Sequence, residues 1–188
     1  ARFNSNGNSS RGIETNHTGT IWGSYLWRTE NSNLAGTLSG VGFASSGSSS
    51  FGSSQLGWLP HSNNKPTAYI STTFGDGAGG VQANTTYLNL FKVENVNGAT
   101  GNSTNSYWIL NTEQFAHFKS TGLHEAALNS ANVGTGAGEV CGRVVFAKSN
   151  SRPALGLGSF LFLRHYNATY VSFYDEIRVS NTGDDSGL

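Results

Sequence analysis

The sequence predicts an all-β fold, an antiparallel sandwich carrying one or two short helical insertions. Three observations carry this. Short runs rich in β-branched and aromatic residues recur along the whole chain. Gly/Ser/Asn turns separate them at intervals of roughly 8–15 residues, the spacing of a sandwich. Four Trp, seven Tyr and eleven Phe in 188 residues supply the apolar bulk of a core, which excludes a low-complexity disordered chain despite 25 Gly.

The first strong run is Thr20-Ile21-Trp22-Gly23-Ser24-Tyr25-Leu26-Trp27-Arg28, with aromatics on both faces. Residues 38–44 form a second, glycine-interrupted strand, and residues 55–59 a third, stopped by Pro60. Residues 68–74 form a fourth that ends in the turn Gly75-Asp76-Gly77. Further strands are expected at 87–93, 106–110, 140–147, 159–164 and 170–179. The last alternates, with Val171, Phe173, Ile177 and Val179 on one face and Tyr174, Glu176 and Arg178 on the other. Serine-rich residues 45–54 read as a loop or hairpin tip. Helix is expected after Asn111, an N-cap residue with Glu113 and Gln114 behind it, and again within 123–131. The length makes 1–188 a single domain, with residues 1–12 an N-terminal arm and 183–188 a C-terminal tail.

Composition excludes several function classes. Charged residues are only 12% and balance at 11 Lys+Arg against 11 Asp+Glu, so there is no basic stripe for nucleic acid and no polybasic anchor. No apolar stretch approaches 18 residues, so no membrane insertion is expected. Cys141 stands alone in an apolar run and reads as a small buried hydrophobe, not as a nucleophile. Low lysine, abundant Ser, Thr and Asn, and an Ala1 that would suit the residue after a cleavage site point to an extracellular or cell-surface protein.

Three segments carry a family resemblance. Residues 19–28 look like the early strand of laminin-G-like, concanavalin-A-like jelly-roll domains of exported bacterial proteins. Tyr107-Trp108-Ile109-Leu110-Asn111 with the helical stretch through Asn129 is similar to their middle insertion. Tyr174-Asp175-Glu176-Ile177-Arg178-Val179 resembles their closing strand. The resemblance spans about residues 11–182 and implies a two-sheet antiparallel jelly roll. It implies little about activity, because that fold hosts lectins, glycosidases, lyases and structural domains alike. Relatives usually carry a further strand region ahead of residues 1–12.

No catalytic constellation is legible locally. Asp175 and Glu176 are adjacent, so regular strand geometry sends them to opposite faces and prevents paired-carboxylate chemistry. Arg164, His165, Tyr166 and Asn167 are the nearest approach to a lyase set and read as a solvated loop. His117 and His124 with Glu113 and Glu125 match no zinc spacing, and no metal site is expected. No cofactor is called for, calcium at the Gly75–Gly80 turn through Asp76 being the one ion considered. Trp58, His61 and Tyr166 are the candidate sugar contacts. Asn8, Asn16, Asn84, Asn102 and Asn167 head Asn-x-Ser/Thr acceptor sequences.

The resulting expectation is a non-enzymatic extracellular subunit of a surface or filament assembly. Its partners would be copies of itself, recruited through an open sheet edge or an end that packs on a neighbour. The alternative is a carbohydrate-binding, lectin-like module whose partner is a polysaccharide, with the chain part of a larger carbohydrate-active protein.

Overall fold

The computed structural model describes residues 1–3, 7–14, 16–30, 38–45, 55–62, 65–150, 153–157, 159–166 and 171–180. The loop expected at 46–54, the tail at 183–188 and Asn167 lie outside them. In chain order the first strands are β1 (Arg2–Phe3), β2 (Gly7–Gly12), β3 (Gly19–Thr29), β4 (Leu38–Ala44), β5 (Leu56–Ser62), β6 (Lys65–Ile70), β7 (Thr73–Asp76) and β8 (Ala78–Gly79). Then come β9 (Thr86–Val96), β10 (Ser103–Leu110), α1 (Thr112–Ser120), α2 (Glu125–Ser130), β11 (Gly142–Lys148), β12 (Phe160–Tyr166) and β13 (Ser172–Ser180). The strands form two antiparallel sheets. One runs β1-β13-β3-β9-β10-β11-β8 and the other β2-β12-β4-β5-β6-β7.

The core lies between the sheets because each central strand places alternate large residues inward. Ile21, Tyr25 and Trp27 of β3, Tyr87, Phe91 and Val93 of β9, and Tyr107 and Ile109 of β10 meet Val41, Phe43, Leu56, Trp58, Ala68 and Ile70 of the second sheet. Each large aliphatic or Phe side chain among them contributes about 1.5–3 kcal/mol on leaving water. The Tyr25 and Tyr107 hydroxyls in this layer are paired, as burial requires. Tyr107 Oη donates to Asn89 Oδ1 (2.6 Å), and Tyr25 Oη lies 3.0 Å from both Tyr107 Oη and the Trp58 carbonyl. Burial pushes the hydroxyls of Tyr25, Tyr107 and Tyr174 above the ordinary tyrosine range.

Four local expectations are corrected. Pro60 does not end β5, which continues to Ser62. The register slips on both flanks there, between Ser39 and Val41 and between Leu59 and Ser62, so the missing N–H falls at a bulge. The run expected at 68–74 is two strands, β6 and β7, turned by Ser71 and Thr72 at φ 43° and 70°. The opening arm packs on its own domain: Arg2 and Phe3 pair with Phe173 and Ser172, and β2 pairs with β12. Finally, β13 does not alternate throughout. Asp175 opposes Leu26 and Arg178 opposes Ser24, so two residues, Glu176 and Ile177, face one on β3. Glu176 takes φ 51° to make this bulge. Tyr174 and Ile177 therefore both reach the core, and Phe173 faces the opposite way.

Asn111 caps α1 as its side chain predicts. Its Oδ1 accepts from Gln114 N (2.9 Å), and Gln114 Oε1 accepts from Asn111 N (3.1 Å), a reciprocal capping box. Gln114 Oε1 also accepts from the buried Cys141 thiol (3.1 Å), which burial keeps in its neutral form. The helices are not a solvent-exposed appendage. Phe118 and Leu128 pack on Trp22, Leu90, Trp108 and Leu110, covering one end of the outer face of the seven-stranded sheet.

Candidate functional site

No described element covers the other end of that outer face, which holds the groove. On β3 the residues between the core positions, Trp22, Ser24, Leu26 and Arg28, point outward. Registry then builds three cross-strand rows. Thr86, Arg28, Phe173 and Arg2 form the first; Leu88, Leu26 and Asp175 the second; Leu90, Ser24 and Arg178 the third. Helix α1 contributes Phe115 and Lys119, and Leu123 follows it, as a wall beside the third row. The result is two adjoining hollows that share Leu26, of about 350 Å³ beside α1 and about 250 Å³ around Phe173.

Charge in the groove is uneven although the whole chain is neutral. Arg2, Arg28, Lys119 and Arg178 face Asp175 and Glu176, four cations against two carboxylates. Glu176 is bound to Arg178 (2.9 Å) in an exposed pair that contributes little to stability. Asp175 Oδ1 accepts from the Glu176 amide (3.0 Å), a bond that fixes the bulge. Arg2, Arg28 and Lys119 have no carboxylate partner among the described residues. The guanidinium carbons of Arg2 and Arg28 lie 5.8 and 5.9 Å from the centroid of the Phe173 ring. Resting on the ring leaves their in-plane N–H donors for another group. The Arg28 Nε–H is buried and unbonded. A planar apolar face beside forked donors suits a sugar ring carrying a carboxylate.

The sites expected from sequence lie elsewhere. Trp58 is corrected: it is fully buried, its ring 3.6 Å from that of Phe91 and its Nε1 donating to Asn105 Oδ1 (2.6 Å), so no sugar can stack on it. His61 is 4% exposed and opposes Ser39. Tyr166 ends β12 opposite Leu38, and its side chain lies outside the described atoms. The 164–167 segment is not a solvated loop through its first half, since Arg164 and His165 belong to β12 and His165 Nδ1 sits 2.7 Å from Ser39 Oγ in the interior. Asn8, Asn16, Asn84 and Asn102 are exposed; Asn16 Oδ1 accepts from Leu157 N and Asn102 Oδ1 from Asn150 N. His117 and His124 do not converge with the nearby acids, Glu125 being held by Lys92 (2.7 Å). Asp76 accepts from Thr67 Oγ1 (2.8 Å). Among the described residues no three ligand-type side chains gather at one point.

The groove escaped sequence reading because its residues come from positions 2, 24–28, 86–90, 115–123 and 173–178. One signal was available. Alternation from Ile21 places Arg28 on the outer face at the end of a core strand, where a cation has no structural duty.

No family model matches the chain, and no curated protein matches its sequence. Solved structures do match in fold. An endo-β-1,4-glucuronan lyase from the fungus Trichoderma reesei aligns over 96% of this chain and 76% of its own, with TM-score 0.54 and 9% identity. The marine PL-14 alginate lyase from Aplysia kurodai aligns over 95% and 88%, with TM-score 0.50 and 12% identity. The fold is thus a jelly-roll β-sandwich, the fold of these two lyases. Nothing supports the narrower laminin-G-like resemblance.

Two functional expectations are corrected by these neighbours. The assembly-subunit reading gives way, because both neighbours are polysaccharide lyases and the arm it relied on is paired within the domain. The non-enzyme reading gives way as well. One of its premises failed in the structure: the bulge leaves Asp175 and Glu176 both exposed in the adjoining hollows of one face.

Proposed function

We propose that the protein binds an acidic polysaccharide in the groove on the outer face of the seven-stranded sheet. The observation that carries this is the row Arg28–Phe173–Arg2, two forked cations on one aromatic ring with no carboxylate partner among the described residues. Sugar rings would lie along Phe173 and Leu26, and their carboxylates would take the in-plane donors of Arg28 and Arg2. Lys119 and Arg178 extend the positive track beside α1. Such a partner fits an extracellular or cell-surface location.

A second reading, cleavage of the same polymer by β-elimination, is favoured by the identity of the two fold neighbours. In that reaction a base removes the proton beside the carboxylate and the glycosidic C–O bond breaks. The leaving oxygen takes up a proton, and a double bond remains in the new end. Arg28 and Arg2 would hold the carboxylate as negative charge grows on it, and Lys119, Asp175 and Glu176 are proton-exchanging groups lining the groove.

Retention in gels containing alginate, glucuronan or a neutral glucan tests binding, and ultraviolet absorbance of the new double bond tests cleavage. Retention is expected on the acidic polymers alone, to weaken with salt, and to fall about tenfold or more in an Arg28→Gln variant. Equal retention on the neutral glucan, or an unaffected Arg28→Gln variant, would overturn the proposal.

A further inference from the structure

A second cavity lies behind β13, on the core side of the strand whose outer side forms the groove. Strand β1 pairs only with Ser172 and Phe173, so no described strand covers the edge of β13 beside Ile177 and Val179. The gap between the two sheets opens there into a slot of about 370 Å³. Its walls are Phe43, Leu161, Ile177 and Val179, all packed on the core. Its mouth is polar, lined by Arg11, Glu14 and His17. Arg11 and Glu14 both line the slot yet form no ion pair with one another or with any described residue. His17 is held by its backbone, N to the Leu155 carbonyl (3.2 Å) and carbonyl to Asn97 Nδ2 (2.7 Å). Its Nδ1 is nevertheless buried without a hydrogen-bond partner.

The geometry points to a binding site for a small zwitterion with an apolar body, the class of the apolar α-amino acids. The apolar part would fill the slot between Phe43, Leu161, Ile177 and Val179. The carboxylate would meet the Arg11 guanidinium, and the ammonium would meet Glu14. A simple fatty or aromatic acid would leave Glu14 facing a second negative charge, and a simple amine would leave Arg11 unmatched. A zwitterion satisfies both. The slot is separate from the polysaccharide groove, so the inference stands independently of that reading.

Calorimetric titration of the full chain with L-phenylalanine and with L-leucine tests it, with 3-phenylpropionate as the probe lacking an ammonium group. Saturable binding of the amino acids is expected. It should weaken about tenfold in Arg11→Gln and again in Glu14→Gln, each substitution removing one charge-assisted contact. Binding of 3-phenylpropionate should be weaker than that of L-phenylalanine and should respond to Arg11→Gln without being weakened by Glu14→Gln. Both substituted residues are exposed at the mouth, and an unchanged thermal melt identifies folded variants. Val179→Trp should abolish binding by filling the slot. No saturable heat up to about 10 mM amino acid, or an affinity in either charge variant unchanged from that of the unsubstituted chain, would overturn the proposal.

Discussion

Replacing Trp58 separates a core residue from a sugar contact. The indole stacks on Phe91 at 3.6 Å with 14° between planes and meets Phe43 edge-on at 5.8 Å. Its Nε1–H is bonded to Asn105 Oδ1 at 2.6 Å, and Asn105 Nδ2 in turn donates to the Tyr69 carbonyl. Trp58→Phe keeps most of the ring but strands Asn105 Oδ1 in a dry layer. An unsatisfied buried acceptor costs about 1–3 kcal/mol, and the lost ring volume adds to it. Trp58→Ala also loses the ring contacts and should cost about 3–5 kcal/mol or more, a large part of the 5–15 kcal/mol typical of a domain. Urea denaturation followed by circular dichroism measures both. The indole–amide bond can be isolated by a double-mutant cycle, in which Asn105→Ala should be less costly in the Trp58→Phe background than alone. The folded Trp58→Phe variant should keep its retention on acidic polysaccharide. An unchanged urea midpoint together with lost retention would refute the core assignment and restore Trp58 as a sugar platform.

Two further outcomes follow from the structure. Burial holds Tyr25, Tyr107 and Tyr174 neutral in the folded state beyond the pH at which they ionise when unfolded. Their contribution should be intact below about pH 10 and be lost above it by about 1.4 kcal/mol per pH unit per group, as the unfolded chain releases protons that the folded one keeps. Urea midpoints from pH 8 upward should show this fall, and Tyr174→Phe should flatten it. Asn111→Ala removes the side-chain half of the α1 capping box and should cost about 1 kcal/mol, read as a lower thermal midpoint, whereas Asn111→Asp should preserve the cap.

What was legible in the sequence was whatever depends on neighbours along the chain. The alternation Ile21, Tyr25, Trp27 against Trp22, Ser24, Leu26, Arg28 is visible as written, and so is the three-residue spacing from Asn111 to Gln114. Trp58 was legible as part of a strand. Its inward face was not, because the slips around Pro60 and Gly40 are decided by the strands paired on each side. The groove was the least legible, since cross-strand registry assembles it from distant segments.

The β13 bulge shows why the misreading and the site coincide. Under strict alternation, Phe173, Asp175 and Ile177 would share one face and Tyr174, Glu176 and Arg178 the other. Burying Tyr174 would then carry Glu176 and Arg178 toward the core, where unpaired charge is costly. Burying Phe173 instead would carry Asp175 inward. One extra residue removes the conflict. Tyr174 and Ile177 fill the interior, and Phe173, Asp175 and Arg178 are released to the outer face, with Glu176 exposed beside them. The cost is a glutamate held at φ 51°, a conformation that non-glycine residues seldom adopt. A local rule broken at one residue is thus what places three charges and an aromatic ring on a single exposed surface.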